Sequence, residues 1–87
     1  MKLKDGFILR TVAGSNVVVP IGKRTVDFNG MITLNDTGAF IWRQLEQNKD
    51  EAQIVAAILE SYDVEAERAQ RCVRGFVEKL REVGCLE

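Results

Sequence analysis

The side chains that most often perform catalysis are sparse in this sequence. It contains no histidine, which removes Ser–His and Cys–His nucleophile pairs and the side chain best suited to proton transfer near neutral pH. The two cysteines, Cys72 and Cys85, are too few for a zinc set or a disulfide framework. We expect both to be reduced small hydrophobes, as in a cytoplasmic protein, and a single bridge between them is the alternative. A thiol enzyme that uses Cys72 is the alternative.

The remaining candidate groups have structural explanations. Asp27, Asp36 and Asp63 fall at predicted caps and turns, where a carboxylate accepts bonds from nearby backbone N–H groups. The glycines are scattered singly, so no phosphate-binding loop is formed. The sequence therefore predicts a protein that is not an enzyme, with no cofactor and no metal site.

Length and charge narrow the remaining classes. The chain has 87 residues, 46% hydrophobic and 29% charged, which predicts one domain over residues 1–87. Its formal net charge of −1 argues against a nucleic-acid or polybasic membrane binder. The beginning of the sequence does not resemble a signal peptide, and the apolar run at residues 54–59 is too short to span a bilayer. We expect a cytoplasmic protein.

The first part of the chain is typical of β-structure. Residues 7–12 and 16–21 are rich in β-branched side chains and flank the turn-forming residues 13–15, which predicts a hairpin. Pro20 cannot donate to a ladder, so we expect it near a strand end or on an unpaired edge. Asn29 and Gly30 suit a second two-residue turn, flanked by possible strands at residues 25–28 and 31–34.

Three helices follow, each with its own boundary signals. Asn35 is a suitable N-cap for a first helix that ends near Glu46, although Gly38 within it costs about 1 kcal/mol relative to alanine. We therefore expect a close packing contact at Gly38. Asp50 and the glutamine three residues later predict a capping box for the second helix.

The third helix is predicted to be the longest. Asp63 is its expected N-cap and Gly84 its C′ glycine. Its predicted core face is spaced at i, i+4, i+7, i+11 and i+14 and consists of Ala69, Val73, Phe76, Leu80 and Val83. Grouped strands followed by helices predict an α+β fold, with a winged-helix-like arrangement of a short three-stranded antiparallel sheet and three helices.

Two binding functions are compatible with this architecture. Arg68, Arg71 and Arg74 on the third helix resemble a DNA-recognition surface, but glutamates interleave with them and the protein is acidic overall. Alternatively, an edge strand at residues 31–34 offers unpaired N–H and C=O groups to an extended peptide. Phe40 and Trp42 are expected to be core anchors.

The stretch LNDTGAFIW at residues 34–42 resembles the strand-to-helix junction of PqqD-like proteins, named for pyrroloquinoline quinone biosynthesis protein D. It follows DFNG at residues 27–30, and the closing VEKLREVGCL at residues 77–86 resembles the end of that family. The resemblance covers essentially the whole chain.

The resemblance implies a RiPP recognition element, a non-catalytic adaptor that binds the leader segment of a ribosomally made precursor peptide. Such a domain presents the precursor to a modifying enzyme, often a radical S-adenosylmethionine enzyme. The leader adds as a strand to the third β-strand, against the third helix. The implied peptide-binding residues are Met31, Ile32, Thr33 and Leu34 on one wall and Arg68, Cys72, Phe76 and Lys79 on the other.

Overall fold

The structure is a computed structural model that describes residues 2–22 and 32–86. Within these residues, a three-stranded antiparallel sheet of order β1–β2–β3 is followed by three helices, which confirms the predicted α+β class. The elements are β1 (Phe7–Val12), β2 (Ser15–Pro20), β3 (Ile32–Leu34), α1 (Asp36–Glu46), α2 (Glu51–Ser61) and α3 (Ala66–Val83).

The hairpin β1–β2 forms because residues 13 and 14 adopt positive φ. Ala13 has φ 52° and Gly14 has φ 80°, the signs required by a two-residue type I′ turn. The register runs from Val12 opposite Ser15 to Phe7 opposite Pro20. Pro20 is the last residue of β2, as expected.

The third strand pairs with β2 over three residues. Asn16 lies opposite Leu34, and Val18 lies opposite Ile32. The possible strand at residues 25–28, the turn at Asn29 and Gly30, and the groove residue Met31 lie outside the described residues.

Local side-chain signals fix the ends of α1 and α2. The Asn35 side chain accepts a hydrogen bond from the Gly38 N–H at 2.7 Å, and the chain leaves the helix after Glu46. Asp50 and Gln53 form the reciprocal bonds of a capping box, at 2.8 and 3.0 Å. All three predicted features are confirmed.

The start of α3 differs from the prediction that Asp63 caps it. The N-cap is Glu65, whose side chain makes no capping hydrogen bond. Val64 packs against the core, and Glu65 stays extended before the helix begins at Ala66. The other end is as predicted, because Gly84 takes φ 87° in a left-handed C-cap.

The core lies between the sheet and the helices and includes the fully buried Trp42. On α3 the buried residues are Ala69, Val73, Val77 and Leu80. The predicted core face was wrong in omitting Val77, since a 3.6-residue period brings position i+8 back to the core. Phe76 and Val83 are only partly buried at its margin. Phe40 is also partly buried, and its ring meets Tyr62 edge-on at 5.5 Å.

Near the ends of the chain, Leu3 and Leu86 form an antiparallel bridge. The Lys4 N–H donates to the Cys85 carbonyl at 2.9 Å, above the buried Cys85 side chain. None of the helices in the described residues is long and apolar enough to cross a membrane.

Candidate functional site

The hydrogen-bond alternation of β2 determines which groups of β3 remain open. Ile21 donates its N–H to the Gly6 carbonyl at 2.8 Å, in register with the hairpin. Because directly opposed antiparallel residues alternate between bonded and non-bonded pairs, Val17 directs its backbone groups toward β1. Asn16 and Val18 therefore direct theirs toward β3. The two-residue turn closes on the hydrogen-bonded pair Val12 and Ser15. Counting from this pair gives the same assignment for Val17.

The same alternation assigns the two edges of β3. Ile32 and Leu34, opposite Val18 and Asn16, direct their backbone groups toward β2. Thr33 between them directs its N–H and C=O away from β2, toward the other edge. Among the described residues β3 is the end strand of the sheet, and the Thr33 side chain is exposed. The strand therefore offers one donor and one acceptor to an added strand.

A cavity lies beside this edge, between β3, the start of α1 and the second half of α3. Its volume is about 160 Å³. The residues that line it are Ile32, Thr33, Leu34, Asn35, Gly38, Phe76, Lys79 and Leu80. The open backbone groups and an apolar recess therefore share one surface, which we call the β3–α3 groove.

Five of the eight predicted peptide-binding residues line this cavity. They are Ile32, Thr33, Leu34, Phe76 and Lys79. Arg68 and Cys72 do not line it and are exposed, although they share one flank of α3 with Phe76 and Lys79, within an arc of about 80°. At 1.5 Å per residue, Cys72 lies about 6 Å and Arg68 about 12 Å along the helix from Phe76. Cys72 is exposed because its flank lies outside the core stripe.

Sequence reasoning did not assign Asn35, Gly38 and Leu80 to the groove. The signal available was Gly38, whose cost within a helix predicts a close neighbour. The structure confirms such a neighbour: a Cβ at Gly38 would lie 3.2 Å from Phe76 Cε1 and 3.4 Å from Leu34 Cβ. Asn35 was recognised only as a cap, which it also is.

The charges of α3 differ between its two flanks. Arg68 and Lys79 lie on the groove flank, whereas Arg74 lies about 120° away from Arg68 around the helix. Arg74 contacts Glu51 of α2 at 3.5 Å, in an exposed ion pair. The arginines of the third helix therefore do not present one continuous cationic surface. Within the described residues, no group of three or more Cys, Asp or Glu side chains is placed to hold a metal ion.

Comparison with known proteins identifies the family. The model of the family described as coenzyme PQQ synthesis protein D (PqqD) matches residues 8–86. The chain belongs to the PqqD family. This confirms the family resemblance carried by the junction at residues 34–42. A search of curated protein sequences finds no match.

Two solved structures have a similar fold. A structure of TbiB1 in complex with the TbiA(beta) leader peptide superposes with a TM-score of 0.81 at 26% identity, and the match covers 100% of this chain and 95% of that chain. A structure of lasso peptide synthetase B1 complexed with the leader peptide gives a TM-score of 0.77 at 24% identity, with 97% and 93% covered. At 24% identity, the likeness to lasso peptide synthetase B1 concerns the fold alone.

Proposed function

We propose that this PqqD-family chain binds the leader segment of a ribosomally synthesised precursor peptide by strand addition to β3. It presents the bound precursor to a peptide-modifying enzyme, for which a radical S-adenosylmethionine enzyme is the proposed type. The observation that carries the proposal is the outward-facing N–H and C=O of Thr33 beside an apolar cavity. The complex of the similar TbiB1 with a leader peptide supports it.

The groove accounts for both affinity and selectivity. The Thr33 backbone groups bond to any extended chain, whatever its side chains. Side chains alternate between the two faces of a strand, so leader residues two positions apart project toward Phe76. The remaining residues project away from α3.

The size of the cavity limits what enters it. An enclosed apolar cavity of about 150 Å³ is large enough to hold benzene, so this half-open recess of about 160 Å³ has room for one aromatic or branched aliphatic side chain. Burying such a side chain contributes about 1.5–3 kcal/mol. We therefore propose one apolar anchor residue in the leader.

The proposed role of Arg68 and Lys79 is to bind acidic leader side chains on either side of this anchor. Both are exposed on the groove flank, so each contact contributes about 0.2–1 kcal/mol and weakens with salt. Met31 and Cys72 complete the proposed binding surface, next to Ile32 and one helical turn from Phe76.

The chain provides binding groups and leaves the chemistry to its partner. We propose a non-catalytic adaptor because the groove offers backbone amides, apolar side chains and the polar side chains of Thr33, Asn35 and Lys79, a set suited to binding a peptide. The alternative, a winged-helix regulator that binds DNA, has no comparable support. It requires a cationic helix, but Arg74 is engaged by Glu51 and the chain carries a formal charge of −1.

Calorimetric titration tests the proposal. The probe is a synthetic leader of the precursor peptide that is encoded beside this chain's gene, and the control is the same peptide in scrambled order. We expect saturable binding of the leader alone. Tight, salt-sensitive binding to duplex DNA, without leader binding, would refute peptide recognition and favour the regulator.

A further inference from the structure

We infer that Gly38 is a specificity-determining residue of the β3–α3 groove: by lacking a side chain, it lets the Phe76 ring lie against α1 and leaves room for a large anchor residue. This inference rests on the proposed function. Gly38 acts on the leader through the shape of the cavity.

The first observation is the fit between Gly38 and the cavity wall. A Cβ on Gly38 would lie 3.2 Å from both Phe76 Cε1 and Asn35 Oδ1, and 3.4 Å from Leu34 Cβ. All three neighbours line the cavity, as Gly38 itself does. An added methyl group would thus be at the α1 end of the recess, in contacts tighter than most Cβ atoms make.

The second observation is that glycine lowers the stability of the helix at the position of Gly38. This residue is buried in the first turn of α1, and glycine is a less favourable helical residue than alanine. Its φ is not in the left-handed region. Backbone conformation therefore does not require glycine at this position, whereas the closeness of Phe76 and of the Asn35 side chain favours it.

The consequence for the cavity follows from its volume. A methyl group occupies about as much space as one liquid water, about 30 Å³, which is roughly a fifth of the 160 Å³ available. The Phe76 ring must also move by a few tenths of an ångström, away from α1. Both changes remove space for a large anchor and leave a small residue unaffected.

The experiment compares Gly38→Ala with the wild-type chain by calorimetry. The probe is the synthetic leader in two versions, one with phenylalanine and one with alanine at the position where alanine weakens wild-type binding most. Wild type should prefer phenylalanine by at least about tenfold, the lower end of what burial of a large apolar side chain provides. In Gly38→Ala the preference should fall to threefold or less, with the affinity for the alanine version unchanged within twofold.

Two further variants separate cavity shape from other effects. Gly75→Ala is the matched control, because a Cβ there meets nothing within 4 Å, and it should keep the wild-type preference. In Gly38→Ala/Phe76→Leu, the smaller side chain at residue 76 should restore part of the preference. An unchanged preference in Gly38→Ala would overturn the inference while leaving peptide recognition intact. Absence of any leader binding by wild type would overturn both.

Discussion

Replacement of Thr33 by proline should weaken leader binding while the chain remains folded. Proline removes the N–H that faces the open edge and holds φ near −65°, far from the value of about −140° in an antiparallel strand. The leader carbonyl that would accept a hydrogen bond from the Thr33 N–H is then left without a donor. This makes the binding free energy less favourable by about 1–3 kcal/mol. That range corresponds to a loss of about 5- to 150-fold in affinity.

Two variants control this experiment. Thr33→Ala keeps both backbone groups and removes an exposed side chain, so its affinity should stay within threefold of wild type. Ile32→Pro removes an N–H that faces Val18, so it should damage the sheet itself and lower the thermal midpoint. Calorimetry gives the affinities, and circular dichroism gives the fold. If Thr33→Pro binds the leader as wild type does, or unfolds as readily as Ile32→Pro, the assignment of the open edge is wrong.

Three other predictions concern charge, thiol exposure and capping. Charge reversal at Arg68 and Lys79 should weaken binding of an acidic leader by about two- to fivefold each, and the loss should shrink in high salt, as titrations at two ionic strengths would reveal. Cys72 is exposed and Cys85 is buried, so a maleimide should modify one thiol in the native protein and both after denaturation. A bulky label on Cys72 should impair leader binding, whereas Cys72→Ser should not. Asp50→Ala should lower the melting temperature by about 4–8 °C for a cap worth about 1 kcal/mol, with no change in leader affinity; a loss of affinity there would show that α2 belongs to the binding surface.

Features fixed by neighbours in sequence were predictable from the sequence. The Ala13–Gly14 turn, the Asn35 cap and the Asp50 capping box each depend on contacts within a few residues, so their residue types reveal them. The cap of α3 was mispredicted for a tertiary reason. Asp63 has the better capping side chain, but the packing of Val64 against the core delays the helix to Ala66.

The groove was only partly predictable because two distant segments form it. The family resemblance predicted which residues of β3 and α3 form the groove. In the structure, Ile32 and Leu34 line one cavity together with Phe76 and Lys79. Periodicity alone assigned Phe76 to the core face and overlooked Val77. Which residue of β3 directs its backbone groups outward depends on the pairing register between β2 and β3. That register is known only from the structure, and it assigns the outward-facing groups to Thr33.

Amide hydrogen exchange at Thr33 tests the central claim most directly. In the free chain its N–H faces the open edge and should exchange fast, whereas those of Ile32 and Leu34 are already protected by β2. At a free leader concentration 100 times the Kd, the account predicts that Thr33 exchange slows by about 100-fold, because only the unbound fraction remains open. Amides of α2 should be unaffected. Unchanged exchange at Thr33 together with new protection in α2 would contradict strand addition to β3.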